Sequence, residues 1–259
     1  MKARELYEKI KSDNMSGASA ILDAIVSGMA ELDEGELTEF IRLLPQTHPS
    51  MAPILNLWNR LDRALATGGN RDELIETATV YLAEIQRSRD DVVAKAVKLI
   101  APCERIITIS RSSLVERALQ QKAGREPFEL IVAESRPQRE GIGLAEAMNQ
   151  LEAVRVTLVV DAAAVFFVQD ADCVVVGADA VTPEWVVNKV GTYALALAAK
   201  HHGKPTFVLA SIDKFTDERT SKMLTFVEHS PDEVLPNAPF RIKNIYFDRT
   251  PIEWVRIVS

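Results

Sequence analysis

Five short apolar runs in the second half of this 259-residue chain each end in side chains able to hold an anion or move a proton. The residues that follow them are Ser110-Arg111-Ser112-Ser113, Glu134-Ser135-Arg136-Pro137, Asp161, Gly177-Ala178-Asp179 and Ser211-Ile212-Asp213-Lys214. Arg136 carries a planar fork that can take two phosphate oxygens at once. Asn188-Lys189-Val190-Gly191-Thr192 reads as the opening of a helix, where unpaired backbone N–H groups and the Lys189 ammonium would converge on a phosphate or carboxylate. For any one of these residues the plainer reading is a helix cap or a surface pair. Taken as a set they predict an anion-binding crevice.

Such a crevice needs strands whose carboxyl ends lie together. β-branched runs at 105–108, 130–133, 155–160, 173–176 and 206–209 alternate with helical patterns at 112–122, 141–151, 162–168 and 188–202. That alternation is the βαβ signature of a parallel sheet, in which ligands bind beyond the strand ends. A closing strand is expected near 241–246 and a last helix near 251–257. Before residue 101 the apolar residues recur at helical spacing, as in Ile21, Ile25, Met29 and Leu32, or Leu74, Ala78, Tyr81 and Ile85. Breaks fall at Asp13-Asn14, between Pro45 and Pro53, and at Thr67-Gly68-Gly69-Asn70, where Asn70 or Asp72 can cap a long helix running from 72 to 99. The expectation is two domains, an all-helical one over 1–101 and an α/β one over 102–259.

A net charge of -7, with no cluster of Lys and Arg, argues against direct nucleic-acid binding, which requires a basic face. No apolar run is long enough to cross a membrane and the N-terminus has no apolar leader core, so a cytoplasmic protein is expected. Cys103 and Cys173 are far apart in sequence and suggest core packing rather than a disulfide or a zinc site. His201-His202 lacks the i, i+3 or i, i+4 spacing of helical metal ligands. Trp58, Trp185 and Trp254 are scattered and build no stacking platform. Gly141-Ile142-Gly143 lacks the third Gly and acidic partner of a dinucleotide fingerprint, and no Walker loop, GxSxG elbow or HExxH pattern occurs.

The stretches Val176-Gly177-Ala178-Asp179, Asn188-Lys189-Val190-Gly191-Thr192-Tyr193 and His202-Gly203-Lys204-Pro205 resemble a signature shared by one superfamily. It comprises the initiation factor 2B alpha, beta and delta subunits, methylthioribose-1-phosphate isomerase and ribose-1,5-bisphosphate isomerase. Glu134-Ser135-Arg136-Pro137 with Gly141, and Asn244-Ile245-Tyr246-Phe247-Asp248-Arg249-Thr250-Pro251, extend the resemblance over about 105–258. It implies a Rossmann-like domain of the ribose-5-phosphate isomerase and CoA transferase kind behind a helical N-terminal domain. It also implies a pocket for a phosphorylated sugar or nucleotide, no metal or organic cofactor, and a homodimer, with a hexamer of dimers as the larger alternative.

In the isomerases a Cys and an Asp on facing strand ends move the proton or hydride between C1 and C2 of an aldose 1-phosphate. Asp179 matches that Asp, whereas Ser110 stands at the Cys position. A hydroxyl is a far weaker acid than a thiol, so altered or lost catalysis is expected. The isomerases' Arg-Gly-Ala phosphate loop is matched by Ser16-Gly17-Ala18, with a neutral hydroxyl in place of the charged fork. Asp161 matches an Asp beside the pocket and would bind sugar hydroxyls or cap the helix that follows it. The expected site is thus Asp179 and Ser110 as catalytic positions, with Ser16, Gly17, Arg111, Ser112, Arg136, Asp161, Asn188 and Lys189 around the ligand. Three functions fit: a regulatory or catalytically altered binder of a phosphorylated sugar or nucleotide, an aldose-ketose isomerase (an intramolecular oxidoreductase) acting on a sugar 1-phosphate such as ribose 1,5-bisphosphate, and an assembly subunit in translation initiation.

Overall fold

The computed structural model describes residues 2–13 and 17–259. Their contacts group the chain into two units, 1–87 with 212–225, and 88–211 with 226–259. The division expected at 101/102 lies at the end of a long helix, whereas the units part within that helix.

The first unit is built from amphipathic helices. α1 (Ala3–Lys11), α2 (Ala18–Met29), α3 (Glu34–Leu43) and α4 (Ala52–Ala66) bury Leu6, Ile25, Phe40 and Leu57 against Tyr81 and Ile85 of α5 (Arg71–Ile100). α1 lies close to α2 because Gly28 has no side chain: a Cβ there would sit 2.4 Å from a methyl of Leu6. At 30 residues α5 spans roughly 45 Å. Asn70 starts it, as its side chain accepts from the N–H groups of Asp72 and Glu73 at 3.0 and 3.1 Å while Glu73 reaches back to the Asn70 N–H at 2.9 Å. This reciprocal box satisfies donors that a helix start otherwise leaves bare.

The second unit opens with β1 (Arg105–Ile109), α6 (Ser113–Ala123), β2 (Phe128–Ala133), α7 (Glu140–Met148), β3 (Val154–Val159) and α8 (Asp161–Phe167). β4 (Cys173–Val176), a short β5 (Ala180–Val181), β6 (Trp185–Lys189), α9 (Thr192–His201) and β7 (Thr206–Leu209) follow. The chain then contributes 212–225, including α10 (Glu218–Met223), to the first unit. Asn56 donates to the carbonyls of Asp213 and Phe215, both at 2.8 Å, and Arg219 pairs with Asp62 at 2.7 Å. β8 (Phe247–Pro251) and β9 (Arg256–Val258) complete the second unit.

Among the described residues the main sheet runs β3-β2-β1-β4-β7-β9, every pair parallel. Both faces are covered, which is why the strands read as continuous apolar runs. Ile106, Leu130, Val132, Cys173 and Val175 pack with α6, α7 and the end of α5, while Ile107, Ile131, Val174 and Val176 pack with α8 and α9. The strand order turns round between β1 and β4, and such a switch point opens a crevice at the carboxyl ends.

Three expectations are corrected. The helix expected from 188 begins only at Thr192, and residues 185–189 form β6 instead. Its β-branched pair Val186-Val187 prefers a pleated surface, and Gly191 at φ 107 ends the extended run. The closing strand lies at 247–251 rather than 241–246. It pairs antiparallel with β6 in a second sheet, β5-β6-β8. The helix expected at 251–257 is a single 3₁₀ turn at 252–254 followed by β9, which extends the main sheet beside β7.

Candidate functional site

The ends of β1 and β2 are tied together by one hydroxyl. Ser135 Oγ accepts the Ser110 N–H at 2.7 Å and donates to the Ala133 carbonyl at 2.9 Å. Ser110 and Ser135 both hold left-handed backbone, at φ 65 and 69. Non-glycine residues take this conformation at a cost and tend to do so at functional turns. Asp161, the first residue of α8, accepts the Ser135 and Arg136 N–H groups, one on each oxygen, both at 2.7 Å. It therefore holds the turn from which Arg136 projects, a contact with the β2 loop that neither expected role included.

The β1–β4 register pairs Ile106 with Cys173 and Ile107 with Val174. Continued to the strand ends, it carries Ser110 alongside Gly177, two residues before Asp179. Gly177 permits close convergence there: a Cβ would fall 2.6 Å from Ser112 Oγ and 3.9 Å from Asn188 Oδ1. Asp179 is half-buried where the chain leaves the main sheet for β5, its N–H donated to the Val187 carbonyl at 2.8 Å. Ser110, Ser112, Gly177, Asp179 and Asn188 are thus gathered at the switch point.

The cations are held differently. Arg136 is half-buried, and its guanidinium donates to the Val234 carbonyl at 2.9 Å, with no carboxylate in ion-pair range among the described residues. Arg111 is turned outward and forked onto Glu116 at 2.9 and 3.2 Å, an ion pair that raises its pKa. Lys189 is buried on β6, 2.7 Å from Glu140 Oε1 and 4.7 Å from the centre of the Tyr246 ring. Glu140 Oε2 is buried with no hydrogen-bond partner among the described residues, an acceptor that a hydroxyl or water has to satisfy.

The expected anion cradle at 188–192 takes another form. Asn188 and Lys189 belong to a strand, and Asn188 donates its side chain to Thr192 Oγ1 at 2.9 Å. The start of α9 already holds an anion: Asp248 Oδ2 accepts the N–H groups of Gly191 and Tyr193 at 2.7 and 3.1 Å. Burial outweighs these two bonds and pushes the Asp248 carboxyl up to about 6.

Sequence reading missed the strap at 229–246 that lines this crevice. His229 and Tyr246 stack with ring centres 3.4 Å apart, and Glu233 accepts from Tyr246 at 2.6 Å and from Asn244 at 2.7 Å. Gln138, from the β2 loop, donates to Tyr246 as well. Burial pushes the Tyr246 hydroxyl up to about 12, with the Glu233 carboxylate acting the same way. Burial also raises Glu233, but its hydrogen bonds from Tyr246, Asn244 and Gln138 prevail and bring it below its usual value. His229 is lowered by burial, and Lys189 adds to the effect. The only signal available was the Asn244–Pro251 motif, whose spacing gives no hint of which strand it meets. Gly17 is the exposed residue preceding α2, with open space around its Cα, and Ser16 lies outside the described residues.

A helical unit followed by a doubly wound parallel sheet, with its polar residues gathered at the switch point, defines a Rossmann-like α/β protein with an N-terminal helical part. The chain belongs to the initiation factor 2 subunit family, whose model matches residues 15–259. It is similar to the translation initiation factor eIF-2B subunit 2-like protein of Pyrococcus furiosus, at 32% identity over 98% of this chain and 93% of that one. The ribose 1,5-bisphosphate isomerase of Archaeoglobus fulgidus is 26% identical over 98% of this chain and 86% of its own length. Among solved structures, the Pyrococcus horikoshii translation initiation factor eIF-2B matches with a TM-score of 0.83 at 30% identity, covering 99% of this chain and 94% of that one. The kinship read from the motifs therefore extends through the helical half. No helix among the described residues is long and apolar enough to cross a membrane, and none of them form a cluster of three or more potential metal ligands.

Proposed function

We propose that this chain binds a small phosphorylated sugar or nucleotide at the carboxyl ends of β1, β2 and β4, in a regulatory role or with altered catalysis, as a homodimer in the cytoplasm. The observation that carries this reading is Arg136. It is a half-buried residue delivered to the crevice by a tied-down turn, and among the described residues its guanidinium has a neutral carbonyl as its partner. A phosphate would compete well for it, because ionised hydrogen bonds are about twice as strong as neutral ones. The charge of Lys189 is taken up by Glu140, whose free Oε2 offers an acceptor for a sugar hydroxyl. Ser110 in the place of the matching isomerase thiol is the reason to expect binding without the parent chemistry.

The test is a thermal-shift panel of ribose 1,5-bisphosphate, methylthioribose 1-phosphate, ribose 5-phosphate, AMP and inorganic phosphate, run on the wild type and on Arg136→Ala. At about 100 times Kd a ligand adds about 2.7 kcal/mol, a rise of several degrees in a chain of this size. One compound is expected to raise the midpoint of the wild type and not of the variant. A flat panel would move the function to assembly within a translation initiation complex.

A second reading, isomerisation of a sugar 1-phosphate, is favoured by the half-buried Asp179 close in register to Ser110. In it Asp179 is the acid and base, with the Ser110 hydroxyl in support. Turnover that disappears in Asp179→Asn while the thermal shift persists would establish it. Turnover unchanged in that variant would remove it.

A further inference from the structure

At the amino ends of β1 and β4, away from the crevice at their carboxyl ends, Cys103 and Cys173 are brought close together. Asp172, immediately before Cys173, accepts the N–H groups of Glu104 and Arg105 on one carboxylate oxygen, both at 2.8 Å, and its own N–H goes to the Arg105 carbonyl at 2.8 Å. On the other side of Cys103, the ammonium of Lys122 holds the Ala101 carbonyl at 2.9 Å. The loop carrying Cys103 is therefore clamped on both flanks against the first residues of β4. Both thiols are free and buried in one apolar cluster.

Their surroundings are unequal. Cys173 is completely buried, whereas Cys103 lines a cavity of about 980 Å³ with Lys122, Phe128 and Asp172. The pairing with Cys173 and the charge of Lys122 favour the Cys103 thiolate, against burial and Asp172, while Cys173 is held protonated by that pairing and by its burial. A thiol that lines a cavity, backed by a second thiol that is completely buried, is the arrangement of an attacking and a resolving cysteine.

We propose that Cys103 and Cys173 form a reversible dithiol–disulfide site, with Cys103 the residue that meets a peroxide oxidant and Cys173 the one that resolves it. The Cys103 thiolate attacks one peroxide oxygen and the O–O bond breaks. The other oxygen takes a proton and leaves as water, so that Cys103 becomes a sulfenic acid. The Cys173 sulfur, losing its proton, then attacks Cys103 and displaces a second water as the S–S bond forms. Two thiols give up two electrons and one hydrogen peroxide becomes two waters. The bond fastens the end of α5 to the start of β4, and an external thiol reverses it by exchange.

The test treats the folded full-length protein with hydrogen peroxide, unfolds it, blocks remaining thiols with iodoacetamide and measures the intact mass. The expected product is two hydrogens lighter than the untreated chain, unalkylated and monomeric on a non-reducing gel, with a thermal midpoint several degrees higher until dithiothreitol is added. In Cys173→Ser, Cys103 is expected to stop at the sulfenic acid and to react with dimedone. In Cys103→Ser, Cys173 is expected to stay reduced. Two alkylated cysteines after oxidation of the wild type, or oxygen added to Cys103 with no disulfide, would overturn the proposal. Equal peroxide sensitivity of Cys173 alone would overturn the assignment of roles.

Discussion

Arg136 and Asp248 are both charged groups at the crevice, and their different partners set what each can do. The Arg136 fork rests on one neutral carbonyl, so an arriving oxyanion has little to displace. The Asp248 carboxylate is committed to two backbone N–H groups at the start of α9, so that helix end is closed to a phosphate. The same burial has a pH consequence. With its carboxyl raised to about 6 from an ordinary 3.8, the folded protein binds more protons than the unfolded chain between those values. Stability contributed by Asp248 is thus present below about pH 4 and lost as pH rises through 6. Relative to Asp248→Asn, the wild type is expected to lose up to roughly 3 kcal/mol between pH 4 and 7, read from urea midpoints of both proteins. Parallel pH profiles would show that the two N–H bonds offset the burial.

At the scale of elements, the crevice depends on how closely α7 approaches the end of β2. Gly141 makes that approach possible: a Cβ there would lie 1.9 Å from the Ala133 carbonyl oxygen and 2.9 Å from Ser135 Oγ, the hydroxyl that ties Ser110 in place. Backbone cannot move aside as a side-chain tip can. Gly141→Ala is expected to destabilise the protein by about 3 kcal/mol in urea unfolding. It should also weaken any ligand-induced thermal shift. An unchanged midpoint would mean that α7 can slide on the sheet. The equivalent change at Gly28 meets first the side-chain tip of Leu6 and should be milder, because a leucine can change rotamer.

For the whole molecule, the homodimer is the property that the family kinship makes most worth measuring. Light scattering is expected to return twice the 28.7 kDa chain mass, with a thermal midpoint that rises with protein concentration. A concentration-independent monomer would remove the dimer from the proposed function and would leave the strand-end crevice unaffected.

Much of this architecture is legible in the sequence, because periodicity and punctuation are local. The β-branched runs place β1, β2, β3, β4 and β7 within two residues, and Thr67-Gly68-Gly69-Asn70 marks the start of α5. The motifs are equally local, and they lead to the family that the comparisons show. Pairing between distant segments is not local. Asn188-Lys189 reads as the opening of a helix until β8, some sixty residues later, supplies the strand that makes it a sheet. Segment 212–225 follows β7 in sequence, yet its backbone carbonyls accept from Asn56 and it belongs to the helical unit. Cys103 and Cys173 have no spacing to connect them, and they become neighbours only because β4 lies beside β1 in the sheet. Residue types and local periods determine which elements form and what chemistry they carry. Which of them touch depends on strand order and register, and those are chosen by the burial of both sheet faces at once.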